Sequence, residues 1–177
     1  MAEDDQTPTE TPQPAAQNGS APASPQMRPL GQYVRDMSFE NIVSRKGVQG
    51  QVTPDVSVQV SLDAKKRAEE NRFEVIGKFT ITSRNKESQD TLFLLELEYG
   101  GIFEVSNVPE NQLHPFLLIE GPRLMFPYIR RIVSDITSDG GFPALNLEPI
   151  DFVQIYRQGI AKRQQAQAEA AEGAGQA

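Results

Sequence analysis

Few residues in this chain have the types and spacing that chemistry needs. There is no cysteine, and His114 is the single histidine among 177 residues. Disulfides, thiolate zinc sites and thiol nucleophiles are therefore excluded, and little remains for histidine-based metal binding or proton transfer. His114 precedes a proline and reads as an ordinary surface or capping residue, since no second imidazole can join it. Glu96 and Glu98 stand two apart on one strand face. Acid/base hydrolysis of a glycoside needs two carboxyls set across a cleft in unlike environments, so this pair reads as a solvated face. No phosphate-loop pattern, no dinucleotide-binding Gly-x-Gly-x-x-Gly opening a helix and no Gly-x-Ser-x-Gly nucleophile turn occurs. Neither a catalytic site nor a metal or cofactor site is expected, which leaves binding as the chemistry to look for.

The elements that would position a binding surface follow from periodicity. Asp55 to Leu62 alternates Val56, Val58, Val60 and Leu62 with Ser57, Gln59 and Ser61, a period of two that predicts a strand. Phe73, Val75, Phe79 and Ile81 repeat the pattern, and the polar run at 84–88 turns the chain into a further strand from Thr91 to Tyr99. Gly100-Gly101 then predicts a turn before a short strand at Ile102, Phe103 and Val105. Tyr33 to Glu40 also alternates, with Tyr33, Met37 and Phe39 on one side and Asp36, Ser38 and Glu40 on the other. Pro109-Glu110 opens a helix through Leu113, Phe116 and Leu117 that Gly121-Pro122 should end. A second helix, apolar at Leu124, Tyr128 and Ile132 and beside them at Met125, Ile129, Val133 and Ile136, runs to Asp139-Gly140-Gly141. A third starts near Pro149 and carries Phe152, Ile155, Tyr156 and Ile160. Strands first and helices afterwards predict an α+β fold, an antiparallel sheet with helices packed on one face.

Charge divides the chain into a balanced centre and acidic ends. Residues 1–27 hold four acids, five prolines and no lysine or arginine, and residues 166–177 add two acids without an aromatic or branched apolar residue. Both segments are expected to be disordered tails flanking one domain at 28–165. The centre keeps 18 acids against 17 bases, without the basic excess that nucleic-acid binding usually needs. No run approaches the roughly 18 to 20 apolar residues that cross a bilayer, and the N-terminus lacks the basic head and apolar core of a secretion signal, so a cytosolic location is expected. On the strand from Thr91, Phe93, Leu95, Leu97 and Tyr99 point one way, and Leu92, Leu94, Glu96 and Glu98 the other. With Asp36 and Glu40 on the same outer face, four carboxylates would cluster and attract a basic partner segment. The inner face and the apolar helices exceed what about 138 residues readily cover, which favours self-association.

Three stretches carry a resemblance. YVRDMSFEN at 33–41, LFLLELEYGGIF at 92–103 and GPRLMFPYIRRIVSDITSDGGFPALNLEPIDF at 121–152 resemble the SecB family of bacterial protein-export chaperones, in the family's order. The resemblance implies a homotetramer, a dimer of dimers whose subunits each give a four-stranded antiparallel sheet, with helices of different dimers packed in the middle. It also implies a cytosolic, non-enzymatic holdase that binds unfolded precursor proteins and passes them to the SecA motor ATPase, touching the membrane only through SecA.

Carried over by position, the resemblance assigns SecA contact to Asp36, Glu40, Leu94 and Glu96. It assigns assembly of the oligomer to Leu95, Leu97 and Tyr99 and to the helix face of Leu124, Tyr128 and Ile132. A client groove between sheet, crossover and last helix falls on Leu145, Leu147, Phe152 and Tyr156. The crossover at 42–52 lacks tryptophan and other bulky aromatics, which leaves Val43 and Val48 to line the groove there.

Overall fold

A computed structural model describes residues 24–47 and 52–174, with side chains as far as residue 167. The acidic tail expected at 1–27 lies outside the described residues up to position 23, and so does Val48. The elements in order are β1 (Gln26–Asn41), α1 (Ile42–Lys46), β2 (Pro54–Lys66), β3 (Arg72–Asn85), β4 (Thr91–Ser106), α2 (Glu110–Asp139) and α3 (Phe152–Ala174). The strands form one antiparallel sheet in the order β1-β4-β3-β2. β1 and β2 are therefore the edges, and the crossover through α1 carries the chain from one edge to the other.

Alternation gives the sheet two unlike faces. Val75, Phe79 and Ile81 of β3 and Leu95, Leu97 and Phe103 of β4 are fully buried on the inner face. α2 lies on them with Met125, Ile129 and Val133, each also at 0% exposure. Each of these large side chains contributes roughly 1.5–3 kcal/mol by leaving water, so this layer is the main stabilising contact.

Several features differ from the sequence reading. Gly100 and Gly101 do not turn the chain, and β4 runs straight through them. A Cβ on Gly100 would sit 2.7 Å from the Tyr33 ring, and one on Gly101 would sit 2.6 Å from the Phe103 ring and 2.9 Å from Met125 Sδ. The pair leaves room for rings lying over the strand, the other common use of strand glycine. Gly121-Pro122 does not end a helix either. α2 continues for 30 residues with Pro115, Pro122 and Pro127 inside it, because Gly121 lets the helix settle on Val75, 3.0 Å from where a Cβ would stand. Tertiary packing here outweighs local propensity. α3 begins at Phe152, where the Asp151 carboxylate accepts from the amides of Val153 and Gln154 at 3.0 Å each. It extends to Ala174 and takes in most of the segment expected to be a tail, in keeping with the high helix propensity of its Ala, Gln and Glu residues.

β-Bulges set which residues share a face. Register shifts leave Leu30 and Arg35 as extra residues in β1 and Leu92 in β4. The shift at Arg35 puts Tyr33 opposite Gly100 on the outer face, away from Met37 and Phe39 with which alternation had grouped it. The shift at Leu92 lets that side chain join the core at 1% exposure instead of the outer face.

Gly101→Ala is expected to destabilise the chain by about 1–3 kcal/mol through overpacking against Phe103 and Met125. Urea unfolding checks this, and an unchanged midpoint would mean that the rings move aside freely.

Candidate functional site

The outer face gathers the acidic residues at one corner of the sheet. Asp36 pairs across strands with Glu98, Ser38 with Glu96 and Glu40 with Leu94, while Lys78 and Thr80 of β3 stand opposite Glu98 and Glu96. Asp36, Glu40, Leu94 and Glu96 thus share one face, as the spacing required. The field is mixed, however. Lys78 Nζ lies 3.6 Å from Glu98 and 3.8 Å from Glu96, Arg35 Nε lies 3.8 Å from Glu98, and Arg45 lies 3.8 Å from Glu40. Among the described residues, Asp36 alone of the four carboxylates has no such cation. Further along the face the Tyr33 hydroxyl donates to Glu74, whose carboxylate also meets Arg67 at 3.7 Å. Burial, and then the bond to Glu74, raises the Tyr33 hydroxyl above its usual pKa.

On the inner side an apolar groove runs between β2 and the irregular segment at 140–151. One hollow of about 160 Å³ is lined by Pro54, Val56, Phe93, Phe142 and Leu145, among others. A second, of about 280 Å³, shares Val56 and Leu145 and continues along Val58, Leu147, Pro149 and Ile150. Val56 and Val58 are 37% and 40% exposed, unusual for the inward side of a sheet. At one end Phe93 and Phe142 pack with ring centres 4.9 Å apart, and Phe39 lies 5.6 Å from Phe93.

The expected groove residues divide on this geometry. Leu145 and Leu147 line the groove, although Leu147 is only 4% exposed. Phe152 is 2% exposed and packs edge-on against Phe126, so it is a core side chain with no surface to offer a ligand. Tyr156 borders a separate hollow of about 40 Å³ with Leu62 and His114, its ring centre 5.8 Å from the His114 ring. Val43 is half-buried against the core.

The surface expected to drive assembly divides too. Leu124 and Tyr128 are 40% and 50% exposed and Ile132 is half-buried, forming one stripe along α2. Val34 and Met37 of β1 are exposed on the same side of the sheet. Leu95 and Leu97 are fully buried and Tyr99 nearly so beneath α2, so these three have no face to turn to another subunit. Burial, and then neighbouring Tyr128, raises the Tyr99 hydroxyl above its usual pKa.

Comparison with known proteins then decides the family. The family model described as preprotein translocase subunit SecB matches residues 20–163. The chain is 62% identical over 156 residues to a protein-export protein SecB of Cereibacter sphaeroides, covering 86% of this chain and 94% of that one. A protein-export protein SecB of Roseobacter denitrificans is 57% identical over 168 residues, with 95% and 97% covered. The chain belongs to the SecB family. Among solved structures, the fold is similar to a Mycobacterium tuberculosis SecB-like chaperone in complex with a peptide from an antitoxin, at 20% identity and a TM-score of 0.53, covering 71% of this chain and 90% of that one.

As a SecB-family export chaperone, the chain carries groove residues that sequence reasoning did not single out, chiefly Val56, Val58, Phe93, Phe142 and Ile150. Val56 and Val58 sit in the clearest strand pattern of the chain, which placed them on one face and gave no sign of their exposure. Their exposure follows from the edge position of β2, which alternation does not encode. No helix of the described residues is long and apolar enough to cross a membrane.

Truncations should separate buried side chains, Leu147 of the groove floor among them, from the exposed rim of the groove. Leu147→Ala and Phe152→Ala are expected to cost about 2–5 kcal/mol, whereas Val56→Ala and Val58→Ala cost less than about 1 kcal/mol. Chemical denaturation of the four variants measures the difference, and equal losses would place all four residues in the core.

Proposed function

We propose that this chain is a cytosolic holdase that captures unfolded precursor proteins in the groove between β2 and segment 140–151 and delivers them to the SecA motor ATPase. The observation that carries this reading is the open apolar groove with exposed Val56 and Val58, in a chain of the SecB family. The peptide held by the M. tuberculosis relative adds support.

The physics suits such clients. An unfolded polypeptide offers extended backbone and apolar side chains, and many modest contacts in a groove bind diverse sequences with little selectivity. Folding removes those ligands, so slow-folding precursors are captured and fast folders escape. Assembly as a dimer of dimers multiplies this by letting one client occupy several grooves. The apolar stripe of Leu124, Tyr128 and Ile132 on α2 supplies the seam between dimers, and β1, with Val34 and Met37, supplies a second surface. Leu95, Leu97 and Tyr99 act on assembly indirectly, by fixing the seat of α2.

SecA docks on the outer face at Asp36, Glu40, Leu94 and Glu96. Docking exchanges cations. A basic group of the motor displaces Lys78 from Glu96 and Glu98 while the groove on the opposite side of the sheet stays loaded, and energy for release comes from the motor. Glu96→Lys is expected to weaken SecA binding by about tenfold or more. Lys78→Met strengthens it about two- to fivefold, the worth of one exposed ion pair. Client affinity stays at the wild-type value in both. Titration of SecA and of an unfolded client against each variant, with the oligomer checked by light scattering, tests this, and parallel loss of both ligands would overturn the division between faces.

A further inference from the structure

The apolar stripe by which α2 sits on the sheet repeats every fourth residue through Met125, Ile129 and Val133 and then changes character. Its next member is Thr137, fully buried at 0% exposure. Valine has nearly the same shape and would complete the stripe, so the hydroxyl needs a reason of its own. The reason lies in what it touches. Thr137 Oγ1 donates to the Val133 carbonyl at 2.8 Å, as mid-helix threonines do, and accepts from the amide of Leu145 at 2.9 Å. The backbone carbonyl of the same residue accepts from the Phe142 amide at 3.0 Å, and the Gly141 amide bonds Ser138 O at 3.0 Å. These two backbone bonds, with Gly141 at φ +83°, make a Schellman stop of the helix. The Asn41 side chain closes the group from β1 by donating to Gly140 O at 2.8 Å.

Thr137 therefore holds both ends of one short stretch. Phe142 is fixed by its carbonyl and Leu145 by its hydroxyl, and both line the first hollow of the groove. Segment 140–151 has no helix or strand of its own to keep it in place. We propose that Thr137 is a positioning residue for client capture, whose hydroxyl holds the groove wall in its binding shape before any client arrives. This rests on the groove reading above and specifies how the groove is kept open. A wall held in advance does not have to be ordered on binding, so its ordering entropy does not subtract from client affinity. With valine at 137, the half-buried Leu145 amide must turn to water and carry the wall with it.

The test uses the full-length chain and a reduced, carboxymethylated polypeptide as the permanently unfolded client. In the wild type without client, the Leu145 amide should exchange slowly, and client should change that little. Thr137→Val should speed exchange at Leu145 and weaken client binding about tenfold, Thr137→Ser should restore both, and SecA binding should stay at the wild-type value in both variants. Val133→Ala, one turn earlier on the same stripe, loosens the core without touching the wall and should leave client affinity near wild type. Unchanged exchange or unchanged client affinity in Thr137→Val would overturn the inference, as would an equal affinity loss in Val133→Ala. If the valine variant does not fold, the wild type decides alone, since fast exchange at Leu145 that slows only with client would mean that the wall is not held in advance. A wild type that ignores the unfolded polypeptide would instead overturn the groove reading itself.

Discussion

One helix covers a sheet that is wider than it is. Four strands about 4.8 Å apart present a face that a single helix, about 10 Å across, covers only along its middle. α2 seals β3 and β4, where Val75, Phe79, Ile81, Leu95 and Leu97 reach 0% exposure. The inward residues of the edge strands stay partly in water, Val56 and Val58 on β2, Val34 and Met37 on β1. The core is stable because its centre is dry, and the molecule has apolar surface to spend because its edges are not. Each edge then takes a different use. Segment 140–151 comes down beside β2 and makes a groove of the gap, while β1 and the outer stripe of α2 stay exposed, the surfaces proposed above for assembly.

The same sheet keeps its apolar groove and its acidic corner apart. Bulges at Arg35 and Leu92 align the carboxylates of β1 and β4 on the outer face and send Leu92 into the core. In the proposed function, a client segment in the groove and a motor on the outer face would be separated by the thickness of one sheet, so both could be held together. The outer face is not a bare acidic field, because Lys78, Arg35 and Arg45 stand among its carboxylates. These cations would hold affinity for the proposed basic partner below what four carboxylates alone would give.

How much of this was legible in the sequence depended on whether a feature was local. The alternation of β2 and β3, the apolar stripe of α2 and the Gly140-Gly141 stop are set by residues close in the chain, and the sequence showed them. The family was legible in the three long stretches that resemble SecB. The extended β4 and the unbroken α2 were not, because the glycines at 100, 101 and 121 answer chiefly to Tyr33, Met125 and Val75, distant in sequence. Edge position is likewise a property of the whole sheet, so the exposure of Val56 and Val58 was not legible in their alternation. The shared face of Asp36, Glu40, Leu94 and Glu96 was legible in the alternation, whereas the pairing of Lys78 with Glu96 and Glu98 was not, since Lys78 lies on a neighbouring strand.

Selective capture of unfolded chains through the groove is the central claim, and calorimetric titration against one polypeptide in permanently unfolded and folded forms tests it most directly. The account predicts binding to the unfolded form alone, with a negative heat-capacity change from apolar burial. Equal binding to both forms, or none to either, would contradict it.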